Sequence, residues 1–305
     1  MSGASFPLEA AGALVLVGGL LYAAVADLRT REVSDRLWQV VGSIGAVVGG
    51  ALVAPGGLLP LALWAVAAAL ALEHLFPWDD ALGERHAAQV PVLEVVAYVG
   101  ALVAVGTCAA RGGVGPSSVP IEVIALVVTV VLARALFELG VLYGGADAKA
   151  LIVSGVLVPT FATPLLTAPA ADLLLLHVLP FSLTLLTDAA LLSVVVPLTL
   201  AVRNIVRGEF TFPRGFTSYT LDVAQLPHRF VWVRDHALGE DTLVDDVETS
   251  ADDTRRRVEI ARKLEAQGVR RVWVTPQLPF LVLLAAGTIA GLLVGNLLLD
   301  LFAAF

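Results

Sequence analysis

Tyr143-Gly144-Gly145-Ala146-Asp147-Ala148-Lys149 is a short polar break between two apolar runs of the chain. It predicts that the Asp147 carboxylate lies where water meets hydrocarbon, next to backbone that two adjacent glycines leave free to bend. An ionisable group at the end of a membrane helix is costly to keep there without a task. Asp147 is therefore the first candidate functional residue.

The composition is that of a membrane protein. Of the 305 residues, 58% are hydrophobic and 15% are charged, and the mean hydropathy is +0.86. An ordinary soluble domain is about 45–50% apolar and about 25% charged. We therefore predict an all-α polytopic membrane protein. A single cysteine, Cys108, excludes an internal disulfide and a Cys-x-x-Cys zinc site, and we expect no metal or cofactor.

The apolar runs predict about eight transmembrane helices, since one span needs about 17–25 mostly apolar residues. Pro55-Gly56-Gly57 predicts a tight turn between the second and third spans, and Pro180 and Pro197 predict a kink in the seventh. The predicted spans cover about 9–28, 37–54, 58–76, 91–110, 119–142, 148–167, 173–202 and 278–302.

Three domains follow from this pattern: a membrane core over 1–202, a polar segment over 203–276 and a last transmembrane helix within 277–305. The polar segment predicts a small α+β structure, because two short β-type runs flank a charged helical run that Gly268 ends. These elements are strands at 230–233 and 271–274 and a helix over 252–267.

Arginines in the short loops predict the orientation. Arg29, Arg31 and Arg36 follow the first span, and two more arginines follow the seventh, whereas the opposite loops carry Arg111 alone. The N-terminus is therefore expected outside the cell, with the 203–276 segment in the cytoplasm.

Asp27, near the end of the first span, is the candidate partner of Asp147. Four predicted spans separate the two residues, so both are expected at the cytoplasmic face. Two carboxylates held within a few ångströms cannot both ionise easily, and such a pair shares a proton. The ionised member can activate water against a peptide carbonyl, while the protonated member polarises that carbonyl and protonates the leaving amine.

Asp27 with the following Arg29-Thr30-Arg31-Glu32-Val33-Ser34-Asp35 run, and Gly144 to Lys149, resemble the two signature sites of the prepilin peptidase family. These enzymes are membrane aspartic proteases of the Gly-x-Gly-Asp class. The likeness is closest to the archaeal branch, the preflagellin peptidases, which the run from Trp273 to Phe280 also resembles.

The resemblance implies that Asp27 and Asp147 are the catalytic pair. It also implies that Gly144 and Gly145 shape the second site, with Lys149 at the mouth of the next span. Ala146 stands where the family has a glycine, so a positive φ at this position would cost more.

The resemblance further implies removal of a leader from prepilin or prearchaellin precursors at the cytoplasmic face of the lipid bilayer. Such precursors carry a short basic segment followed by an apolar helix, and acids such as Glu32 and Asp35 would attract the basic segment. Asp188, inside the seventh span, is a further candidate for the substrate groove. The missing cysteine pairs argue against a zinc insert, and the sequence has no glycine-rich strand-to-helix site for a methyl donor, so we expect no methyltransferase activity. No nucleic acid partner is expected.

Structural alternatives stand beside each of these interpretations. Asp27 alone would serve as an interfacial anchor, and the glycine run before Asp147 would serve as a turn with a helix cap. Lys149 would equally be a flanking charge, and Arg134 and Glu138, one helical turn apart, are predicted to neutralise each other.

Two rival functions remain open from the sequence. One is a proton- or cation-coupled transporter, which uses membrane acids in broken helices near the bilayer midplane. The other is a non-catalytic scaffold in a pilus or archaellum assembly system. Replacement of Asp27 or Asp147 by asparagine distinguishes these two functions from the protease, because only a protease would lose leader removal.

Overall fold

The computed structural model describes residues 6–76, 99, 119–142, 144–161, 165–166, 179–233 and 250–303. The chain divides into two compact units. The larger unit takes the described parts of 1–29, 33–192 and 280–305, and the smaller unit takes those of 30–32 and 193–279.

The described chain is mostly α-helical. Among its residues, three helical segments are long and apolar enough to cross a membrane, at Pro7–Thr30, Asp35–Gly56 and Phe181–Val206. Two further apolar helices are shorter, so these residues hold three candidate spans rather than eight, and apart from Val99 the predicted span at 91–110 lies outside them. The helices before the sheet are α1 Phe6–Thr30, α2 Asp35–Val53, α3 Leu58–Glu73, α4 Val119–Glu138, α5 Gly145–Leu157, α6 Phe181–Ser193 and α7 Val195–Val206.

Helix α5 lies in the core of the larger unit, where all residues from Ala150 to Leu157 are buried. Helix α2 supplies a glycine face to this core. A Cβ added at Gly45 would lie 2.9 Å from the Leu157 side chain, and one added at Gly49 would overlap the Trp64 ring of α3. Small residues of this kind let helices approach closely, which is how membrane helices gain packing energy.

The span predicted over 148–167 is wrong at 158–161, which are described and are not helical. Helix α5 ends at Leu157, and Val158 has φ −139° and ψ 78°, outside the helical region. Val158 precedes a proline, and clash with the proline ring pushes the preceding residue away from the helical conformation.

The two remaining long spans differ in their continuity. Within 173–202, one turn residue, Val194, lies between α6 and α7, but its backbone stays helical with φ −60° and ψ −24°, so the kink expected from Pro180 and Pro197 stays a prediction. The prediction of one continuous helix over 278–302 is wrong, because α9, Phe280–Leu293, is separated from α10, Leu297–Ala303, by a break in which Gly295 has φ 105°.

The smaller unit contains a three-stranded antiparallel sheet in the order β1-β3-β2 and helix α8, Ser250–Ala266. The strands are β1 Tyr219–Asp222, β2 Val231–Val233 and β3 Arg271–Pro276. The two predicted strands and the predicted helix are confirmed, and Gly268 follows the helix with φ 76°, as expected at a helix C-terminus. Strand β1 was missed, because four residues of mixed polarity carry little strand pattern.

Candidate active site

Asp147 lies in the first turn of α5, folded back over the start of its own helix. Gly144 caps the helix in an extended conformation, with φ −104° and ψ 127°. The Asp147 backbone N–H donates to the Gly144 carbonyl at 3.0 Å, and the Gly144 N–H donates to the Asp147 carboxylate. A side chain at the third helical position that accepts from the capping residue's N–H is half of a capping box.

The need for glycine at 144 is spatial. A Cβ added there would lie 3.1 Å from Oδ2 of Asp147, whereas one added at Gly145 would meet no atom within 4 Å. Ala146 is helical, so the cost of a positive φ does not arise at this position, and among the described non-glycine residues only Arg31 has a positive φ.

The larger unit brings Asp27 of α1 near Asp147 of α5, across 120 positions of sequence. Asp147 directly precedes the predicted span 148–167, and its pKa is raised from 3.8 to about 7. Burial is the main cause, the negative charge of Asp27 adds to it, and the hydrogen bond from Gly144 opposes it. The Asp147 carboxyl therefore changes between its protonated and ionised forms near neutral pH.

Lys149 and Asp35 form an ion pair with each other. The distance from Lys149 Nζ to Asp35 Oδ1 is 2.5 Å, and the pair joins the fifth residue of α5 to the first residue of α2. The Lys149 side chain is 23% exposed and that of Asp35 is 55% exposed, so the pair adds less than about 1 kcal/mol to stability. Its main effect is to hold the N-terminal ends of α5 and α2 together near Asp147.

A cavity of about 470 Å³ lies at the ends of α3 and α4 and the start of α5. Gly145, Ala148 and Lys149, close neighbours of Asp147 in the chain, line one side of it. Arg134 and Glu138 line another side, and their predicted ion pair is confirmed at 3.6 Å. Glu73 and His74 complete the polar part of the lining.

The other predicted site residues lie elsewhere. Glu32 is exposed and belongs to the smaller unit. Asp188 is fully buried in α6, where its Oδ1 accepts the Leu297 N–H at 2.9 Å. Asn296 lies beside it, a residue that the sequence reasoning missed. The polar Gly295-Asn296 pair inside an apolar run was the available signal.

The chain is similar to a preflagellin peptidase from Methanococcus maripaludis strain C6. The two are 24% identical over 186 residues, which cover 59% of this chain and 74% of that protein. No family model matches the chain. No solved structure matches it either. The similarity gives weak support to the preflagellin peptidase family, and the apolar helices fit a protein of the membrane.

Proposed function

We propose that this chain is a membrane-embedded aspartic endopeptidase that removes the basic leader of preflagellin-like or type IV pilin-like precursors. One observation carries the proposal: the charge of Asp27 acts on the partly buried carboxyl of Asp147 and helps raise its pKa to about 7. Coupling of this kind is what a two-carboxylate catalyst needs. The similarity to a preflagellin peptidase supports the class of substrate.

The mechanism uses the two carboxyl groups and one water molecule. Asp27, ionised, accepts a proton from the water as its oxygen attacks the carbonyl carbon of the scissile peptide. Asp147, protonated below about pH 7, donates a hydrogen bond and then its proton to the developing oxyanion. Collapse of the tetrahedral intermediate breaks the C–N bond: Asp27 gives the proton it took from water to the leaving amine, and Asp147 takes back a proton from a hydroxyl of the intermediate as the new carboxyl group forms. The products are a leader with a new carboxylate and a shortened subunit with a new amino terminus.

Gly144 and Lys149 have positioning roles in this proposal. The Gly144 N–H holds one side of the Asp147 carboxylate, and the absence of a Cβ at 144 leaves room for it. The ion pair of Lys149 with Asp35 fixes the start of α5 against α2. The two carboxyl groups can then keep a constant separation while substrate enters and leaves.

The loop arginines favour a cytoplasmic position for the pair, with the N-terminus outside. A precursor's apolar helix would lie in the bilayer, so that its basic leader reaches the same face. Glu73 and Glu138 at the cavity beside α5 are suited to attract that leader.

The test is cleavage by the purified full-length chain in lipid nanodiscs. A precursor with a basic leader and an apolar helix is incubated with it, and the products are sized by mass spectrometry. We expect one cut after the leader, lost in both Asp27→Asn and Asp147→Asn and kept in Asp222→Asn, a matched change on the exposed sheet edge. Cleavage that persists in both site variants would contradict the proposal.

A cation-coupled transporter is the second candidate, and Asp188 favours it. This carboxylate is fully buried beside the break between α9 and α10, and broken helices with buried acids are typical of transport sites. Asp27 and Asp147, in contrast, lie in the last and first turns of their helices, which suits a protease at the membrane surface.

A further inference from the structure

Asp188 belongs to a polar cluster inside the larger unit, separate from the Asp27–Asp147 pair in the chain and in its contacts. Thr184, Thr187 and Asp188 follow one another at helical spacing and therefore share one face of α6. This face meets the break between α9 and α10. There Asn296 Nδ2 donates to the hydroxyls of Thr184 at 3.3 Å and Thr187 at 3.2 Å.

The carboxylate of Asp188 is half satisfied. Its relative exposure is 0%, and Oδ1 accepts the Leu297 N–H at 2.9 Å. Its other oxygen, Oδ2, is buried and has no hydrogen-bond partner among the residues that the structure describes. A buried carboxylate with an unpaired oxygen is expensive, so a ligand at Oδ2 would recover much of that cost.

Further oxygen donors lie within one helical turn of Asp188 along α6 and in the break that this face meets. A hydroxyl has two lone pairs, and Asn296 uses only one on each threonine. The Asn296 side-chain oxygen likewise accepts one bond, from the Leu299 N–H at 3.0 Å. The cluster is therefore a group of neutral oxygens around one carboxylate, and no arginine or lysine donates to that carboxylate in the described part of the chain.

The charge of the cluster favours a cation of low valence. Asp300 of α10 is near enough to act electrostatically on Asp188. The described residues hold no group of three or more acids, histidines or cysteines that would bind a metal ion. One carboxylate with hydroxyl and amide oxygens is a donor set for a hard cation. The single carboxylate of this donor set balances a monovalent ion, and the charge of Asp300 adds to the attraction for a cation.

We propose that Asp188, Thr184, Thr187 and the Val294–Asn296 break form a binding site for a monovalent metal cation. The ion contacts Oδ2 of Asp188 and the free lone pairs of the two threonine hydroxyls. It joins α6 to the interrupted last span, so occupancy stabilises the larger unit. The site stands independently of the proteolytic proposal, because it shares no residue with the Asp27–Asp147 pair.

The test is equilibrium binding of ²²Na⁺ to the purified full-length chain in nanodiscs, with choline chloride holding the ionic strength constant. We expect saturable binding of one ion per chain, displaced by unlabelled Na⁺ or K⁺ and unaffected by choline. Asp188→Asn, which keeps the acceptor for the Leu297 N–H, should weaken binding at least 10-fold. Asp222→Asn, the same change at a 60% exposed position of β1, is the matched control and should bind as the wild type does.

A second variant and a stability measurement keep the test decisive if Asp188→Asn does not fold. Thr187→Val keeps the side-chain shape and removes one hydroxyl, so it should also weaken binding while the chain stays monodisperse. The thermal midpoint of the wild type should rise by several degrees as Na⁺ replaces choline, and that of Asp188→Asn should not. Absence of saturable binding to the wild type, or equal binding by Asp188→Asn, would overturn the site.

Discussion

Replacement of Asp147 by asparagine tests the carboxylate pair through stability as well as activity. The folded state raises the pKa of this carboxyl from 3.8 to about 7. Between these values the folded chain holds a proton that the unfolded chain has released, so stability falls as the pH rises. At about 1.4 kcal/mol per pH unit, the loss reaches about 4 kcal/mol once the pH exceeds 7.

The measurement is denaturant unfolding of the full-length chain in detergent micelles at pH 5 and pH 8. About 3 kcal/mol of this loss of stability is expected between pH 5 and pH 8, because two pH units separate pH 5 from the raised pKa of about 7. Asp147→Asn removes the titrating group, so its stability should change between pH 5 and pH 8 by about 3 kcal/mol less than that of the wild type.

Asp222→Asn is the control for this comparison. Asp222 is 60% exposed on the smaller unit, so its replacement should leave the pH dependence of the wild type unchanged. If Asp147→Asn kept the full pH dependence of the wild type, the reasoning about its buried carboxyl would be refuted. The same variant should also be inactive, which separates a catalytic carboxyl from one that only destabilises the fold.

Two further predictions concern close contacts at glycines. Gly144→Ala should lower leader cleavage at least 10-fold, since its Cβ would lie 3.1 Å from Oδ2 of Asp147; Gly145→Ala, with open space around it, should keep the activity. Gly287→Ala should lower the free energy of unfolding by about 1–3 kcal/mol in denaturant unfolding, because its Cβ would lie 2.5 Å from a backbone oxygen of α6. The control is Gly18→Ala, whose Cβ would meet no atom within 4 Å and which should leave the free energy of unfolding unchanged. Equal effects of the two changes in either pair would contradict the contact argument.

The part of the fold that follows from local pattern was predictable. The apolar runs located the helices, and the β-type residues after Phe230 and at 271–274 located two strands. Gly268 marked the end of the charged helix, as its φ of 76° confirms. In each case a few neighbouring residues carry the physical cause, so the sequence alone is sufficient.

The helix interruptions were harder to predict, because apolar composition does not distinguish helix from extended backbone. Val158 leaves the helix on account of the proline that follows, although the run stays apolar beyond it. The break at Gly295 depends on contacts of Asn296 with threonines of α6, which are more than 100 positions away. Hydropathy windows average over such positions, so two predicted spans were too long.

The sequence predicted which residues belong to the candidate site, but it did not predict most of the contacts that they make. Asp27 and Asp147 were paired from span parity and resemblance, and the electrostatic coupling between them is a tertiary property. Lys149 and Asp35 were named separately, and their ion pair could not be inferred from sequence. The glycine at 144 was explained by flexibility, whereas its cause is the space that the Asp147 carboxylate occupies.

The central claim is that Asp27 and Asp147 act as one coupled pair. Infrared difference titration of the protonated carboxyl band tests it most directly, in the full-length chain and in its Asp27→Asn and Asp147→Asn variants. The account predicts a wild-type transition near pH 7 that is absent in Asp147→Asn. In Asp27→Asn this transition should move to lower pH, because the neighbouring negative charge is gone. A transition that stays at the same pH in Asp27→Asn would contradict the pairing.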